Sequence, residues 1–397
     1  MVTIDKIFHA SVVLKDIIRP TPLAKAYGIA EDCALYLKPE CLQKTGSFKL
    51  RGSGYKIAML SDEEKAKGVI ACSAGNHAQG VALAASKCGI SSLICLPDTA
   101  PISKVEATKG YGAQVCLVPG VYDDAYNKAL ELKDEHGYTF VHPFDDEYVI
   151  AGQGTIGLEI MNEMSDVDAV LVPIGGGGLI SGVACAIKSI SPHVKVYGVQ
   201  AAGAPSMYNA IHHGKMEALT SVSTIADGIA VKKPGELTYE MVKNYVDDIA
   251  LVTEDEIAAA ILALIEKQKM IAEGAGAVSV AAAMFHKFPL EGKKVVSLIS
   301  GGNIDVTSLS RVIDRGLMKS GRTTSLLIEL ADKPGQLMEV SRIIAQCGGN
   351  VISVHHERNG ETESINGCYL RLSLETRNYD HVQQITQALR DAGFKIV

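Results

Sequence analysis

The sequence predicts an α/β fold of parallel-rich sheets with helices on both faces, followed by a small C-terminal unit of ferredoxin-like order. Three observations carry this. From about residue 60 to 300, short runs rich in β-branched residues alternate with helical patterns. Most of those runs are apolar throughout, as strands covered on both faces must be. Near residue 320 the rhythm changes to strand, helix, strand, strand, helix, strand.

The predicted strands of the first part are GVIACS (68–73), SLICLP (92–97), AQVCLV (113–118), YTFVHP (138–143), DAVLVPI (168–174), KVYGVQ (195–200) and KVVSLIS (294–300). Helical segments such as HAQGVALAASKCG and SKVEATKGYG lie between them, and this alternation implies crossover connections and parallel pairing. Ser61 with Glu64, and Thr253 with Glu256, have the capping-box spacing of helix starts. The stretch LALIEKQKMIAEGAGA reads as mostly one packed helix. After the polar joint KSGRTT come SLLIELA, GQLMEVSRIIAQCG, NVISVHHER, GCYLRLSLE, DHVQQITQALRDAG and FKIV, a βαββαβ order.

Size and charge narrow the function classes. The chain has 397 residues, 47% of them hydrophobic, and a formal net charge of −7. Such a length suggests roughly two to three domains at about 150 residues each. Acidic and basic residues are mixed and no basic stripe occurs, so nucleic acid is not an expected partner. No apolar run reaches ~18 residues and Met1–Ala10 lacks a signal-peptide layout, so a cytoplasmic protein without a membrane partner is expected. The 9 cysteines lack CxxC or framework spacing and read as reduced thiols. No HExxH or Cys/His ligand spacing supports a metal. His355 and His356 are adjacent in a strand-like run and should face opposite ways.

Three glycine-rich loops follow predicted strands. In SAGNHAQG (73–80), Gly75 permits a tight turn and a helix starts near His77, where backbone N–H groups would hold an anion such as a carboxylate. In PIGGGGLISG (173–182), four consecutive glycines cost more backbone entropy than a turn requires. Close approach of main-chain N–H groups to a phosphate explains them. Neither a dinucleotide fingerprint nor a P-loop is present: Ser181 breaks the G-x-G-x-x-G register, and no Lys-Ser/Thr pair follows. In SLISGGNID (297–305), Ser300 ends a strand, where ligands gather in open parallel sheets. Together with Lys49 in KTGSFKLRGS (44–53), these loops describe a site for pyridoxal 5′-phosphate, which needs a lysine, a phosphate anchor and a partner for its ring nitrogen.

The order and spacing of SFKLRG, SAGNHAQG, GGGGL and SGGN resemble those of the two-lobed fold-type II pyridoxal-phosphate enzymes, and among them the serine/threonine dehydratases. The turn ADKPGQL (331–337) resembles that of the ACT regulatory domain that many of these dehydratases carry. The resemblance covers residues 5–397. It implies a catalytic domain over 1–320, whose smaller lobe spans about 55–150, and an ACT domain over 321–397. It implies that Lys49 holds the cofactor and takes the Cα proton, that Phe48 lies beside the cofactor ring, and that Asn76 bonds its 3′-oxygen. Gly175, Gly176, Gly177, Gly178 and Leu179 are implied as the phosphate cup, and Ser73, Gly75, Asn76 and His77 as the loop for the substrate carboxylate. Ser300 is implied to contact the ring nitrogen; a neutral hydroxyl there cannot keep that nitrogen protonated as a carboxylate would.

The resemblance further implies deamination of L-threonine to 2-oxobutanoate and ammonia by β-elimination of water, with serine as a secondary substrate. A serine racemase or serine dehydratase of the same fold, or a non-catalytic amino-acid sensor, is the alternative. Racemases of this fold carry an acid/base hydroxyl where this chain has Ala74, which favours elimination. Their divalent-ion carboxylates fall at Gln200 and Ser206 here, which argues against a metal. In the ACT unit, Asp332, Pro334, Gly335 and Asn350 are the implied regulatory residues. An amino-acid effector such as isoleucine, or a nucleotide effector, and a homo-oligomer (dimer or tetramer) are expected. Arg51 reads as structuring the lysine loop. Asp227 either belongs to a site loop or caps a turn. Glu273 either faces the substrate or is only a helix N-terminal carboxylate.

Overall fold

The computed structural model describes residues 2–358 and 367–397. The chain divides into two compact units, residues 1–305 and 306–397. This division falls ahead of the joint expected at 320 and places the helix Val306–Lys319 with the C-terminal unit. Hydrogen bonds tie that helix to the rest of its unit, among them the Arg322 N–H donating to the Leu317 carbonyl at 2.9 Å and the Tyr379 hydroxyl to the Lys319 carbonyl at 2.8 Å.

The first unit holds two sheets. The smaller is wholly parallel, built from β3 (Val69–Cys72), β4 (Ser92–Pro97), β5 (Gln114–Val118) and β6 (Thr139–Phe140) in the order β5-β4-β3-β6. The larger contains β1 (Ala24–Lys25), β2 (Ala34–Pro39), β7 (Ala169–Pro173), β8 (Lys195–Ala201), β9 (Asp248–Val252) and β10 (Lys294–Ile299). Its order is β1-β2-β10-β7-β8-β9, parallel except for the β1-β2 pair. Each expected apolar run of this unit contains a strand, because burying both faces of a parallel sheet demands such runs.

Strand β2 was not among the expected strands. Its ALYLKP sequence carries Lys38, whose side chain is fully buried and ion-pairs with Glu159 at 2.6 Å and Glu163 at 3.2 Å. The segment read as one helix around residue 270 is instead broken. The helix Glu254–Ala263 runs into a wide turn at Leu264–Gln268, Lys269 takes a positive φ of 58°, and a new helix starts at Gly274. Both expected capping boxes are formed.

The second unit contains β11 (Thr323–Ala331), β12 (Asn350–Glu357), β13 (Gly367–Glu375) and β14 (Lys395–Ile396), with helices Gln336–Gln346 and Tyr379–Asp391. The order β12-β13-β11-β14 is antiparallel throughout, the ferredoxin-like arrangement expected for βαββαβ. Leu326, Ile328, Leu370, Leu372, Ile344 and Ile385 form its own core. Among the described residues, no helix is long and apolar enough to cross a membrane.

Candidate active site

A cavity of about 890 Å³ lies in the first unit, where parallel strands end. Loops after β3, β6, β7 and β10 line it, the position at which open α/β sheets collect ligands. Phe48, Lys49, Ser73, Gly75, Asn76, His77, Gly175, Gly176, Gly177, Gly178, Leu179 and Ser300 all line it, as does Ala74.

Lys49 opens the helix Lys49–Ala58. Its loop is fastened to the loop after β10 by an antiparallel bridge between Ser47 and Gly301. The Phe48 N–H donates to the Ser300 carbonyl at 3.0 Å, and the Gly302 N–H to the Gly46 carbonyl at 2.9 Å. Two residues on, Arg51 anchors the helix from behind. Its guanidinium is fully buried and forks onto both oxygens of Glu40 (2.8 and 2.8 Å) and of Glu159 (2.6 and 2.9 Å). Burial opposes its charge, and the two carboxylates more than offset that and hold it cationic. Arg51 therefore structures the lysine loop and does not line the cavity.

The Lys49 amine donates to the Pro143 carbonyl at 2.7 Å and lies 5.3 Å from the Phe48 ring centre. Burial pushes it down to about 8 from the ordinary 10.5, with Glu273 pulling the other way. A larger share is then the neutral amine, the form that attacks an aldehyde or accepts a proton.

The glycine loop is closed on its outer side. A Cβ on Gly176 would collide with the Phe144 ring, one on Gly178 would lie 2.6 Å from the Phe144 carbonyl oxygen, and one on Gly177 would lie 2.7 Å from Met207 Cε. Gly177 also has φ 98°, a conformation costly for any side chain. The Thr238 hydroxyl pins the Gly176 carbonyl at 2.6 Å. The loop leads into the helix Gly178–Ile190, so the unpaired N–H groups of the helix start lie at the cavity. This cradle, a buried amine and the Ser300 hydroxyl fit a phosphate-bearing aldehyde cofactor. The Ser300 hydroxyl donates to the Ala275 carbonyl at 3.3 Å.

The helix Asn76–Lys87 starts at the second loop. The His77 ring is buried and its Nε2 lies 2.8 Å from the Val141 carbonyl. Burial, with Lys49 adding to it, pushes the ring down to about 3. His77 is thus neutral and its ring is already engaged, so its backbone N–H at the helix start is what it offers an anion. Ser73 Oγ accepts from the Gly75 N–H at 3.1 Å. The Asn76 amide donates to Glu273 Oε1 at 2.6 Å and its Oδ1 accepts from Asn303 at 2.7 Å. Glu273 precedes the helix Gly274–Met284, where its side chain makes no capping bond, and it lines the cavity. Burial, then Asp227, push its carboxyl up to about 7, against the bond from Asn76. Asp227 lines the cavity and pairs with Lys104 at 3.0 Å. The sequence reading assigned Asn303, Phe144 and Thr238 no role; of these, only Asn303 had a signal, as the last residue of SGGN.

The C-terminal residues are not brought together. Gly335 (φ 93°) caps the helix Gln336–Gln346, and Asp332 pairs with Arg358 at 3.0 Å. Asn350 pairs across the sheet with Glu375, which also faces Thr323, whereas Ala331 faces Gly367. Strands β11 and β12 run the same way, so Asp332 follows the end of one and Asn350 starts the other. The strand length between them is roughly 25 Å, at about 3.3 Å per residue. Asp332, His356 and Cys368 converge at one end, their donor atoms within 4.8 Å. This cluster arises from strand pairing and has no ligand spacing in sequence. His356 Nε2 already contacts Cys368 Sγ at 2.9 Å. Gln200 and Ser206 are buried. Gln200 Oε1 accepts from the Tyr208 N–H at 2.7 Å.

Comparison with known proteins agrees with this chemistry. A protein from Thermotoga maritima named L-threonine ammonia-lyase is 50% identical over 100% of this chain and 99% of its own. The structure of the processed form of threonine deaminase isoform 2 from Solanum lycopersicum is 39% identical, covers 79% of this chain and 89% of that one, and has a TM-score of 0.75. Maize serine racemase is 36% identical over 80% of this chain and 98% of that one, also with a TM-score of 0.75. The model of the family described as pyridoxal-phosphate dependent enzyme matches residues 14–301. The chain is a member of the pyridoxal-phosphate dependent enzymes.

Proposed function

We propose that this protein is a threonine ammonia-lyase that converts L-threonine to 2-oxobutanoate and ammonium, with serine as a slower substrate. The observation that carries this is the buried Lys49 amine in a cavity where Ala74, not a hydroxyl, lies beside the asparagine loop. Full-length similarity to an L-threonine ammonia-lyase supports the same choice.

When bound, pyridoxal phosphate supplies the aldehyde that captures the substrate amine and the electron sink that acidifies the Cα–H bond. Gly175–Leu179 and the N-terminus of the helix Gly178–Ile190 would hold its phosphate, Asn76 would bond its 3′-oxygen and Ser300 would contact its ring nitrogen. The N–H groups at the start of Asn76–Lys87 would receive the substrate carboxylate. Lys49, whose amine is buried and pushed toward the neutral form, would take the Cα proton as general base. The β-hydroxyl would leave as water, the proton lost from Cα to Lys49 balancing the one the hydroxyl gains, and water would hydrolyse the enamine product to the oxo acid and ammonium. Ala74 has no proton to return to Cα, so elimination outruns racemisation.

The ferredoxin-like strand order of the C-terminal unit supports reading it as an ACT domain, and we assign it a regulatory role for an amino-acid effector, isoleucine being the first to test, or a nucleotide. Asp332, Pro334 and Gly335 would contact the effector at one end of the sheet. Asn350 lies at the other end, so it would act only on a ligand shared between copies in a cytoplasmic homo-oligomer. The test is a 2-oxo-acid assay on threonine and serine, with and without isoleucine, valine and AMP, alongside chiral analysis of residual serine. Threonine turnover with no D-serine is expected. Net racemisation without oxo acid contradicts the lyase, and a flat response to all effectors contradicts the regulatory role.

A further inference from the structure

We propose that Asn303 is a positioning residue that, with Glu273, fixes the facing of the Asn76 carboxamide and so commits Asn76 to donate a hydrogen bond to the cofactor. The inference rests on the reading of this cavity as a pyridoxal-phosphate site. An asparagine amide presents an acceptor on one side and a donor on the other, and which way it faces must be read from its neighbours. Here one end of the chain of bonds is unambiguous. The Thr45 carbonyl oxygen can only accept, so the Asn303 NH₂ faces it, at 2.7 Å. The same Nδ2 lies 2.7 Å from Asn76 Oδ1, which fixes that oxygen toward Asn303. The Asn76 NH₂ then faces Glu273 Oε1 at 2.6 Å. One N–H is used there and the second is left for the cavity that Asn76 lines. Turning the amide over would set oxygen against the Glu273 carboxyl and N–H against the Asn303 N–H.

Glycines make room for this relay. Gly46 has φ 71°, and a Cβ on it would collide with Asn303 Oδ1. A Cβ on Gly301 would collide with Glu273 Oε1 and come within 3.2 Å of Asn76 Nδ2. The glycines of KTGSFK and SGGN thus clear space for the relay, and the asparagine that ends SGGN starts it.

The test uses the purified full chain with pyridoxal phosphate. It measures the cofactor Kd and the ratio of the two absorption bands that reports protonation at the 3′-oxygen. Asn303→Ala should weaken cofactor binding about tenfold, the loss of one well-placed hydrogen bond, and shift the band ratio. Asn303→Asp should shift both further, because a carboxylate offers Asn76 a competing acceptor and no donor. Should that variant fail to fold, Asn303→Ser, which retains a donor of shorter reach, should shift both in the same direction by less. Ser279→Ala, which removes a buried bond to the Leu298 carbonyl outside the cavity, should leave both readouts unchanged. If wild type shows its bands and the Asn303 variants keep its Kd within about twofold and its band ratio, the inference is overturned. If wild type takes up no pyridoxal phosphate, the site reading fails and the inference with it.

Discussion

The two units use opposite rules for gathering turn residues. In residues 1–305 the strands that frame the cavity are parallel within each of two sheets, so the loops after β3 and β6 share one end of the smaller sheet and those after β7 and β10 one end of the larger, and all four line the cavity. In residues 306–397 the sheet is antiparallel, and Asp332 and Asn350 fall at opposite ends although both sit in turn-like sequence beside a strand. Motifs at the ends of parallel strands can be combined into one site from sequence order alone. Turn motifs around a βαββαβ sheet cannot, because which end each occupies depends on strand direction.

The contrast can be broken first at Lys49. Lys49→Ala should lower kcat for 2-oxobutanoate formation by about 10⁴-fold, since it removes both the cofactor anchor and the base; steady-state turnover on threonine measures this. Arg51→Met should destabilise the apoprotein by about 3–5 kcal/mol, because Glu40 is left buried and unpaired; urea denaturation gives the value. A cost under about 1 kcal/mol would mean the ion pair is as weak as a surface one. Gly176→Ala drives a methyl into the Phe144 ring and should weaken cofactor binding by about tenfold or more, as a misplaced set of phosphate donors would; absorbance titration reads it.

Glu273→Gln is a smaller effect with a definite sign. The Glu273 carboxyl is raised to about 7 in the folded chain from an ordinary 4.5. A raised folded-state value means its contribution to stability is fully present below pH 4.5 and is lost as pH rises through about 7. Glu273→Gln should therefore stabilise the apoprotein above pH 7, by about 1–2 kcal/mol, and give no gain near pH 4.5. Thermal melts at the two pH values test this. The smallest effect belongs to the second unit: Asp332→Ala should leave unstimulated turnover within about twofold of wild type while abolishing any response to the effector.

The legibility of the sequence obeys the same physics. The seven expected strands of the first unit lie in runs where both faces are apolar, and the βαββαβ order of the second unit reads directly from alternation and turn glycines. Strand β2 was hidden because Lys38 is buried by pairing with Glu159 and Glu163, which lie far along the chain. The break after Ala263 has no proline or glycine to announce it; a wide turn and a left-handed Lys269 make it. The motifs around the cavity were legible because glycine runs beside strand ends carry local signals and their combination singles out Lys49. The Asn303–Asn76–Glu273 relay was not, since its meaning lies in contacts among three distant loops.

The proposed function stands on the buried Lys49 amine at the cavity. The direct test is to load the purified protein with pyridoxal phosphate, reduce it with borohydride and map the modified peptide by mass spectrometry. The expected result is a pyridoxyl group on Lys49 alone, in the peptide containing SFKLRG. A label on another lysine, or no label from a folded protein, would contradict it.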